Sequence, residues 1–368
     1  MKVPYDYLKR QFRPFTLDTM WENGLRDAIS TGDFTLGELS REFERKLCKL
    51  TGSKYALALA NGTDALELAL WANNIGPGDE VITTVNTFIA TGASIVTQGA
   101  TPVFVDSNER FVTDAKKIPE LITNKTRAIM PVDFGGQPVD ILTIKEIAKA
   151  HNLIVIEDSC QALNASYHGY PCGSYADAGC FSFHPQKNLN CIGDGGALVT
   201  NDAYVYERLI LYRNHGMLTR DDYAICSRNS RMDTANAFVL NWFIGDLNKD
   251  NDTRRRHAFK MDAAFKKIPY LTVPERSDYE RHSFHLYMIL AHNRDKLMKH
   301  LQYWGVEARI HYPKPLHLQP AFQHLGYKEG DFPVAEEQAK NMISLPIHQY
   351  LKEDEVDYMI EIVEMFYK

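Results

Sequence analysis

The sequence predicts an α/β protein: a large unit with a mostly parallel central sheet between helices, followed by a smaller α+β unit. Two observations carry this reading. Between residues 54 and 200, short β-rich runs alternate regularly with helical stretches, which is the pattern of βαβ units and a parallel sheet. From about residue 246 onward the pattern changes to long polar helices around one apolar run and a proline-rich stretch. A chain of 368 residues is long enough for two domains, assigned here as 1–245, binding the principal ligand, and 246–368.

Taken in order, "KYALALA" (54–60) predicts the first strand and "DALELALWANN" the helix after it. "DEVITT", "TFIATGASIVTQGA" and "TPVFVD" continue the alternation, punctuated by Gly and Pro turns. "TRAIMPVD" (126–133) precedes the helix "ILTIKEIAKAHN", and the apolar "LIVIED" (153–158) reads as a strand. In the second unit, "FHLYMILA" (284–291) is the apolar run, "HYPKPLHLQP" (311–320) the proline-rich stretch, and "EDEVDYMIEIVEMFYK" the closing helix. No repeat or low-complexity segment interrupts this order. In open parallel sheets, ligands bind beyond the carboxyl ends of the strands, so the loops that leave those ends are where function is sought.

Three of these loops carry chemistry. "ANGTDALELAL" (60–70) leaves a strand and opens a helix. Gly62 lets backbone approach an anion, Thr63 offers a hydroxyl, and the helix start supplies free N–H donors and a positive dipole end. That combination fits a phosphate cup, and equally an ordinary helix cap. No G-x-G-x-x-G and no G-K-[ST] occurs there, so neither a dinucleotide nor a Walker loop is implied. "EDSCQA" (157–162) ends its strand with two carboxylates that alternation directs to opposite faces, one able to face a crevice and the other a helix layer. "FSFHPQKNLNCIGDGG" (181–196) sets Lys187 between an aromatic strand and a cluster of glycines. A lysine in a low-dielectric cleft sheds its proton readily and becomes nucleophilic toward an aldehyde. A carboxylate about 3 Å from a pyridinium nitrogen, at an effective dielectric near 20, is worth on the order of 5 kcal/mol. Phosphate cup, carboxylate and lysine are together the three anchors that pyridoxal 5′-phosphate requires.

The ordered motifs "NGTDAL", "TFIAT", "TPVFVD", "EDSCQA", "FSFHPQKNLNCIGDGGALVTND", "NSRMD" and "HYPKPLHLQP...GDFPVAE...SLPIH" span nearly the whole chain. In them the sequence resembles the DegT/DnrJ/EryC1/StrS family of sugar aminotransferases, enzymes of the fold-type-I pyridoxal-phosphate class related to aspartate aminotransferase. The resemblance implies a cofactor cycling between its pyridoxal and pyridoxamine forms, with Lys187 as Schiff-base residue and proton carrier and Asp158 as partner of the ring nitrogen. It further implies that Gln161 lies beside the ring's phenolic oxygen, that Phe88 stacks on the ring, and that Gly62, Thr63 and Ser182 hold the phosphate. Asn229 is expected to join that phosphate site from a neighbouring subunit, which makes the unit of function a homodimer with shared active sites. His184, His311, Tyr312 and His317 are the candidate substrate contacts.

The implied reaction is a ping-pong transamination from L-glutamate to a nucleotide-linked keto sugar. The K-N-L-x3-G-D-G-G block is similar to members that aminate C3, which points to a 3-keto-6-deoxyhexose. A 4-keto sugar nucleotide, another keto sugar or a small phosphorylated ketone are the alternatives, and a non-catalytic sensor is the alternative from a different class. Two positions depart from the family: Asn164 stands where many relatives have glycine, and Asp133 where histidine is common. Both belong to a stretch that neighbours the substrate pocket in relatives.

Composition narrows the field in the same direction. Forty-one basic against 47 acidic residues give a net charge of -6 with the two signs interspersed, so no footprint for nucleic acid or anionic lipid is present. The one basic run, "DTRRRH" (252–257), reads as a solvated helix face. Cys48, Cys160, Cys172, Cys180, Cys191 and Cys226 show neither C-x-x-C spacing nor a disulfide framework, and the histidines show no metal spacing. With no apolar run of membrane-spanning length and no signal-peptide core in "MKVPYDYLKRQFRPF", a cytoplasmic protein is expected.

Overall fold

The structure, a computed structural model, describes residues 1–368. Its strands in chain order are β1 (Tyr55–Leu59), β2 (Glu80–Thr84), β3 (Thr101–Val105), β4 (Thr126–Met130), β5 (Ile154–Asp158), β6 (Ser166–Tyr167), β7 (Tyr170–Pro171), β8 (Ala178–Ser182), β9 (Gly196–Thr200), β10 (Leu271–Thr272), β11 (Glu280–Arg281), β12 (Tyr287–Ala291) and β13 (Met342–Leu345). Seven of them form one sheet in the order β1-β9-β8-β5-β4-β2-β3. β9 alone runs against its neighbours β1 and β8. The remaining pairings are parallel.

Alternation along each strand assigns side chains to the two faces of this sheet. Leu57, Leu59, Met130, Ile156, Ala178, Cys180 and Leu198 join one core with the helices Gly62–Ala72, Ile89–Thr97 and Ala203–Arg213. The intervening residues face the other side. There Ala56, Ala58, Phe181, Ala197 and Val199 pack with the helices Glu38–Thr51 and Thr234–Phe243, while Ile82, Ile129 and Val155 pack with the helix Ile141–His151. A sheet covered by helices on both faces is the physical reason its strands read as near-continuous apolar runs. The fold class expected from the sequence is thus the one observed.

β10, β12 and β13 make an antiparallel sheet packed by the helices Leu247–Phe265, Arg294–Tyr303 and Glu353–Tyr367. β12 serves two cores at once. Tyr287 and Ile289 point into this second core, whereas Leu286 and Met288 reach the core that holds Ile129 and Phe134. Val3 of the amino-terminal segment also belongs to the second core and pairs with Val306. β11, β6 and β7 form a third, small sheet.

The basic run 252–257 corrects its sequence reading. It lies on the Leu247–Phe265 helix, but Arg254 and His257 are each only 1% exposed, leaving only Arg256 of the three arginines on the surface. Burial is possible because Arg254 finds fixed acceptors: Gln349 Oε1 at 2.7 Å, the Phe284 carbonyl at 3.1 Å and the Ile347 carbonyl at 3.2 Å. All six cysteines are free, and no helix is long and apolar enough to cross a membrane.

Candidate active site

The parallel strands β1, β2, β5 and β8 deliver their carboxyl ends to one edge of the sheet, and a cavity of about 510 Å³ opens there. Its walls include Asn61, Gly62, Thr63, Thr87, Phe88, Thr91, Asp158, Cys160, Gln161, Ser182, His184 and Lys187 from the sheet edge. Tyr7, Arg254, His285, His311 and Tyr312 close the other side. Such a volume suits a small organic ligand.

At the end of β1, Asn61 caps the following helix by accepting the Asp64 N–H at 2.8 Å. The cap leaves the N–H groups of Gly62 and Thr63 without intrahelical partners, at the positive end of the helix dipole. Gly62 is required by space: a Cβ there would lie 2.7 Å from Ser182 Cβ and 3.1 Å from Cys160 Sγ. The result is a concave floor of N–H groups and hydroxyls against Ser182, whose Oγ accepts the His184 N–H at 3.3 Å. The helix-cap reading of this loop is thus observed, with Asn61 as the capping residue.

At the end of β5, alternation separates the two carboxylates. Asp158 lines the cavity, with Oδ2 accepting from Thr91 Oγ1 at 2.7 Å and Oδ1 from the Cys160 N–H at 3.2 Å. Thr87 Oγ1 stands 2.9 Å from Thr91 Oγ1 and extends this chain of hydroxyls. Glu157, 1% exposed, points to the opposite side, where its carboxylate, that of Asp133 and the Cys172 thiol offer ligand atoms within 4.8 Å of one another. Burial pushes Asp133 up to about 6, and burial plus the neighbouring Asp133 raise Glu157 well above the usual carboxylate range. Asp133 is held by the Val139 N–H at 2.9 Å and Ser159 Oγ at 2.7 Å. Neither it nor Asn164 lines the cavity. Asn164 has φ of 61°, a left-handed conformation that glycine or asparagine adopts at small cost.

Lys187 follows β8 through a turn in which its N–H donates to the His184 carbonyl at 2.8 Å. Its carbonyl accepts from the Tyr7 phenol. The side chain lines the cavity, and burial lowers the amine from its ordinary value, against the opposing pull of Cys160 and Asp158. Several neighbouring groups are pushed toward their neutral forms. Burial raises the Cys160 thiol well above its ordinary value, and burial reinforced by Lys187 lowers His184 and, to well below the ordinary imidazole value, His285. His311 falls to about 4 through burial, Arg309 and Lys187. Phe88 is 50% exposed at the mouth with its ring 5.8 Å from that of Tyr312, whose phenol lies against Gln161. Gln161 is oriented by the Gly135 N–H, which donates to its Oε1 at 2.7 Å.

Ten of the residues named from the sequence therefore line one cavity: Gly62, Thr63, Phe88, Asp158, Gln161, Ser182, His184, Lys187, His311 and Tyr312. Two do not. His317 is a packed histidine, not a cavity wall: the Leu316 N–H is held by the Val85 carbonyl, and the imidazole is buried 3.0 Å from Glu336 Oε1 and against Phe332. Asn229 is exposed outside this cavity, its Oδ1 accepting the Arg231 N–H at 3.2 Å. Sequence reasoning missed Tyr7, Thr91, Arg254 and His285. Only Thr91, inside "TFIAT", carried a motif signal.

Comparison with known proteins identifies the family. The family model of the DegT/DnrJ/EryC1/StrS aminotransferase family matches residues 17–364. A pleiotropic regulatory protein of Geobacillus stearothermophilus is 38% identical over 100% of this chain and 99% of its own length. A UDP-N-acetyl-3-dehydro-alpha-D-glucosamine 3-aminotransferase of Acidithiobacillus ferrooxidans is 38% identical over 96% of this chain and 95% of its own. Among solved structures, DesV of S. venezuelae, in complex with a ketimine intermediate, superimposes with a TM-score of 0.96 at 33% identity, covering 100% of this chain and 99% of that one. The chain accordingly belongs to the DegT/DnrJ/EryC1/StrS aminotransferase family, whose cofactor is pyridoxal 5′-phosphate.

Proposed function

We propose that this chain is a pyridoxal-phosphate aminotransferase that moves an amino group from L-glutamate to a nucleotide-linked 3-keto sugar. One observation carries the reading: a depressed lysine amine, a doubly hydrogen-bonded aspartate and a glycine-floored cup of N–H and hydroxyl groups line the same cavity. These residues fit the cofactor. The cup of Gly62, Thr63 and Ser182 suits its phosphate, and a Cβ at residue 62 would fill that cup. When bound, pyridoxal phosphate supplies an electrophilic aldehyde and an electron-withdrawing ring.

The chain's own residues supply the rest. Lys187 Nζ, its proton affinity lowered by burial, would take a proton from the donor's Cα and return one to the acceptor carbon. Asp158, kept in place by Thr91 Oγ1 and the Cys160 N–H, would hold the ring nitrogen. Phe88 and Gln161, both cavity walls, would hold the ring at its face and at its phenolic oxygen. His184, His311 and Tyr312 present neutral hydrogen-bonding groups to the sugar, suited to hydroxyls and not to a second cation. The protein works as a homodimer in which Asn229 completes the phosphate site of the second subunit; its exposure outside its own chain's cavity supports this. The 3-keto choice rests on the K-N-L-x3-G-D-G-G block and on the activity named for the relative from Acidithiobacillus ferrooxidans. A sensor role, suggested by the regulatory name of another relative, sits poorly with an intact Lys187 and Asp158.

The test is direct. Purified protein loaded with pyridoxal phosphate should lose its visible absorption on addition of L-glutamate and then aminate a 3-keto sugar nucleotide, read by mass spectrometry. Amination of UDP-, dTDP- or GDP-linked 4-keto sugars, or only of small phosphorylated ketones, replaces the acceptor in this reading. Cofactor binding with no bleaching by any amino acid favours the sensor.

A further inference from the structure

The reactive lysine is held from an unexpected quarter. The amino-terminal segment crosses the second unit as a strap: Val3 bonds through its N–H to Gly305 (2.9 Å) and through its carbonyl to Glu307 (3.1 Å), and the Tyr5 N–H donates to Glu307 Oε2 at 3.0 Å. Further along, Arg10 fastens the strap to Glu355 at 2.7 Å and to the Tyr350 carbonyl at 2.8 Å. Between these fastenings the side chain of Tyr7 is 3% exposed, stacked with Tyr350 at 5.8 Å and tilted against His348 at 5.5 Å, with the Arg254 guanidinium 5.3 Å from its ring. Its hydroxyl reaches across 180 residues of sequence to the main-chain carbonyl of Lys187.

The Lys187 peptide is thereby fixed on both sides, by the His184 carbonyl on its N–H and by Tyr7 on its carbonyl. The next residue is fixed as well, since Asn188 Nδ2 donates to Asn251 Oδ1 at 2.7 Å and to the Ser283 carbonyl at 2.8 Å. A side chain with four rotatable bonds gains a direction only if the backbone it leaves is rigid. Burial raises the Tyr7 phenol to about 12, against the pull of Arg254, so it remains a donor throughout the working pH range.

We infer that Tyr7 is a positioning residue for the proposed amino-transfer chemistry: through the Lys187 carbonyl it sets the path of the ε-amine into the cavity, and so makes the amino-terminal strap part of the active site. The inference rests on Lys187 being the reacting lysine, as proposed above. Tyr7→Phe keeps the ring stack and removes only the hydroxyl.

The experiment compares loaded wild type with Tyr7→Phe in three measurements. These are cofactor affinity, the rate at which borohydride fixes the cofactor to Lys187 (located by peptide mass spectrometry), and kcat against KM. Tyr7→Phe should bind cofactor within about twofold of wild type, yet fix it to Lys187 and turn over on the order of tenfold more slowly at little-changed KM, the size of one lost buried hydrogen bond. Should Tyr7→Phe fail to fold, Arg10→Gln, which slackens the strap away from the cavity, carries the test and should slow fixation in the same direction. A lower melting temperature with unchanged fixation rate and kcat would reduce Tyr7 to a structural role and overturn the inference. Fixation of the wild type at a different lysine would overturn the functional reading together with it, whereas wild-type fixation at Lys187 leaves that reading standing whatever Tyr7→Phe does.

Discussion

Glu157 and Asp158 are consecutive carboxylates at the end of β5, and the structure gives them opposite surroundings. Asp158 opens onto the cavity, with a threonine hydroxyl and a backbone N–H on its two oxygens. Glu157 is buried beside Asp133, with Oε2 lacking any hydrogen-bond partner. Burial beside a second acid favours the proton on Glu157. The contrast teaches that strand alternation alone can split one acidic pair into a chemical group and a structural one, and that partners, not residue type, decide which is which.

Substitutions on the two faces of β5 can break or sharpen this comparison. On the cavity side, Lys187→Ala should retain pyridoxal phosphate through the cup and Asp158 but lose turnover by about 10⁴-fold, measured as single-turnover transfer from L-glutamate. Asp158→Asn should fold normally and slow proton abstraction on the order of 10³-fold, because the ring nitrogen loses its charged partner; a solvent-exchange assay of the donor Cα hydrogen reads this step. Thr91→Val removes one hydrogen bond to a carboxylate and should cost about tenfold in kcat with an unchanged melting temperature.

Glu157→Gln is the substitution expected to leave kcat within about twofold, and its effect lies in stability against pH. The folded-state values of Asp133 and Glu157 are raised, so the stability they contribute is fully present below the unfolded carboxylate range and is lost as pH rises through their folded-state values, about 6 for Asp133 and well above the ordinary range for Glu157. Glu157→Gln should therefore flatten the fall in melting temperature as pH rises above the ordinary carboxylate range. A large loss of kcat in Glu157→Gln, or none in Asp158→Asn, would collapse the distinction between the two faces.

Much of the framework was legible because its causes are local. Strand 154–158 was expected at 153–158, helix Ile141–His151 at 141–152, and the closing helix Glu353–Tyr367 at 353–368, each from periodicity and its flanking turns. The site was legible where a short motif carries its own geometry: Gly62 needs room, Asp158 ends a strand, and Lys187 precedes a glycine-rich turn. His317 was misread because a histidine in a proline-rich stretch gives no sign of which partner it meets, and Glu336 claims it. Arg254 was misread as solvated because its acceptors, Gln349 and two carbonyls, come from segments distant in sequence.

The sequence by itself determined the parallel α/β framework and the order of the strand-end loops that carry the cup, the acid and the lysine, since alternation, capping and turn formation depend on neighbours within a few residues. The tertiary structure alone decided which side chains complete the cavity, which acid faces it, and that the strap bearing Tyr7 reaches Lys187. Those outcomes depend on contacts between segments far apart in the chain, where burial and hydrogen-bond partners set charge and direction, and no local pattern encodes them.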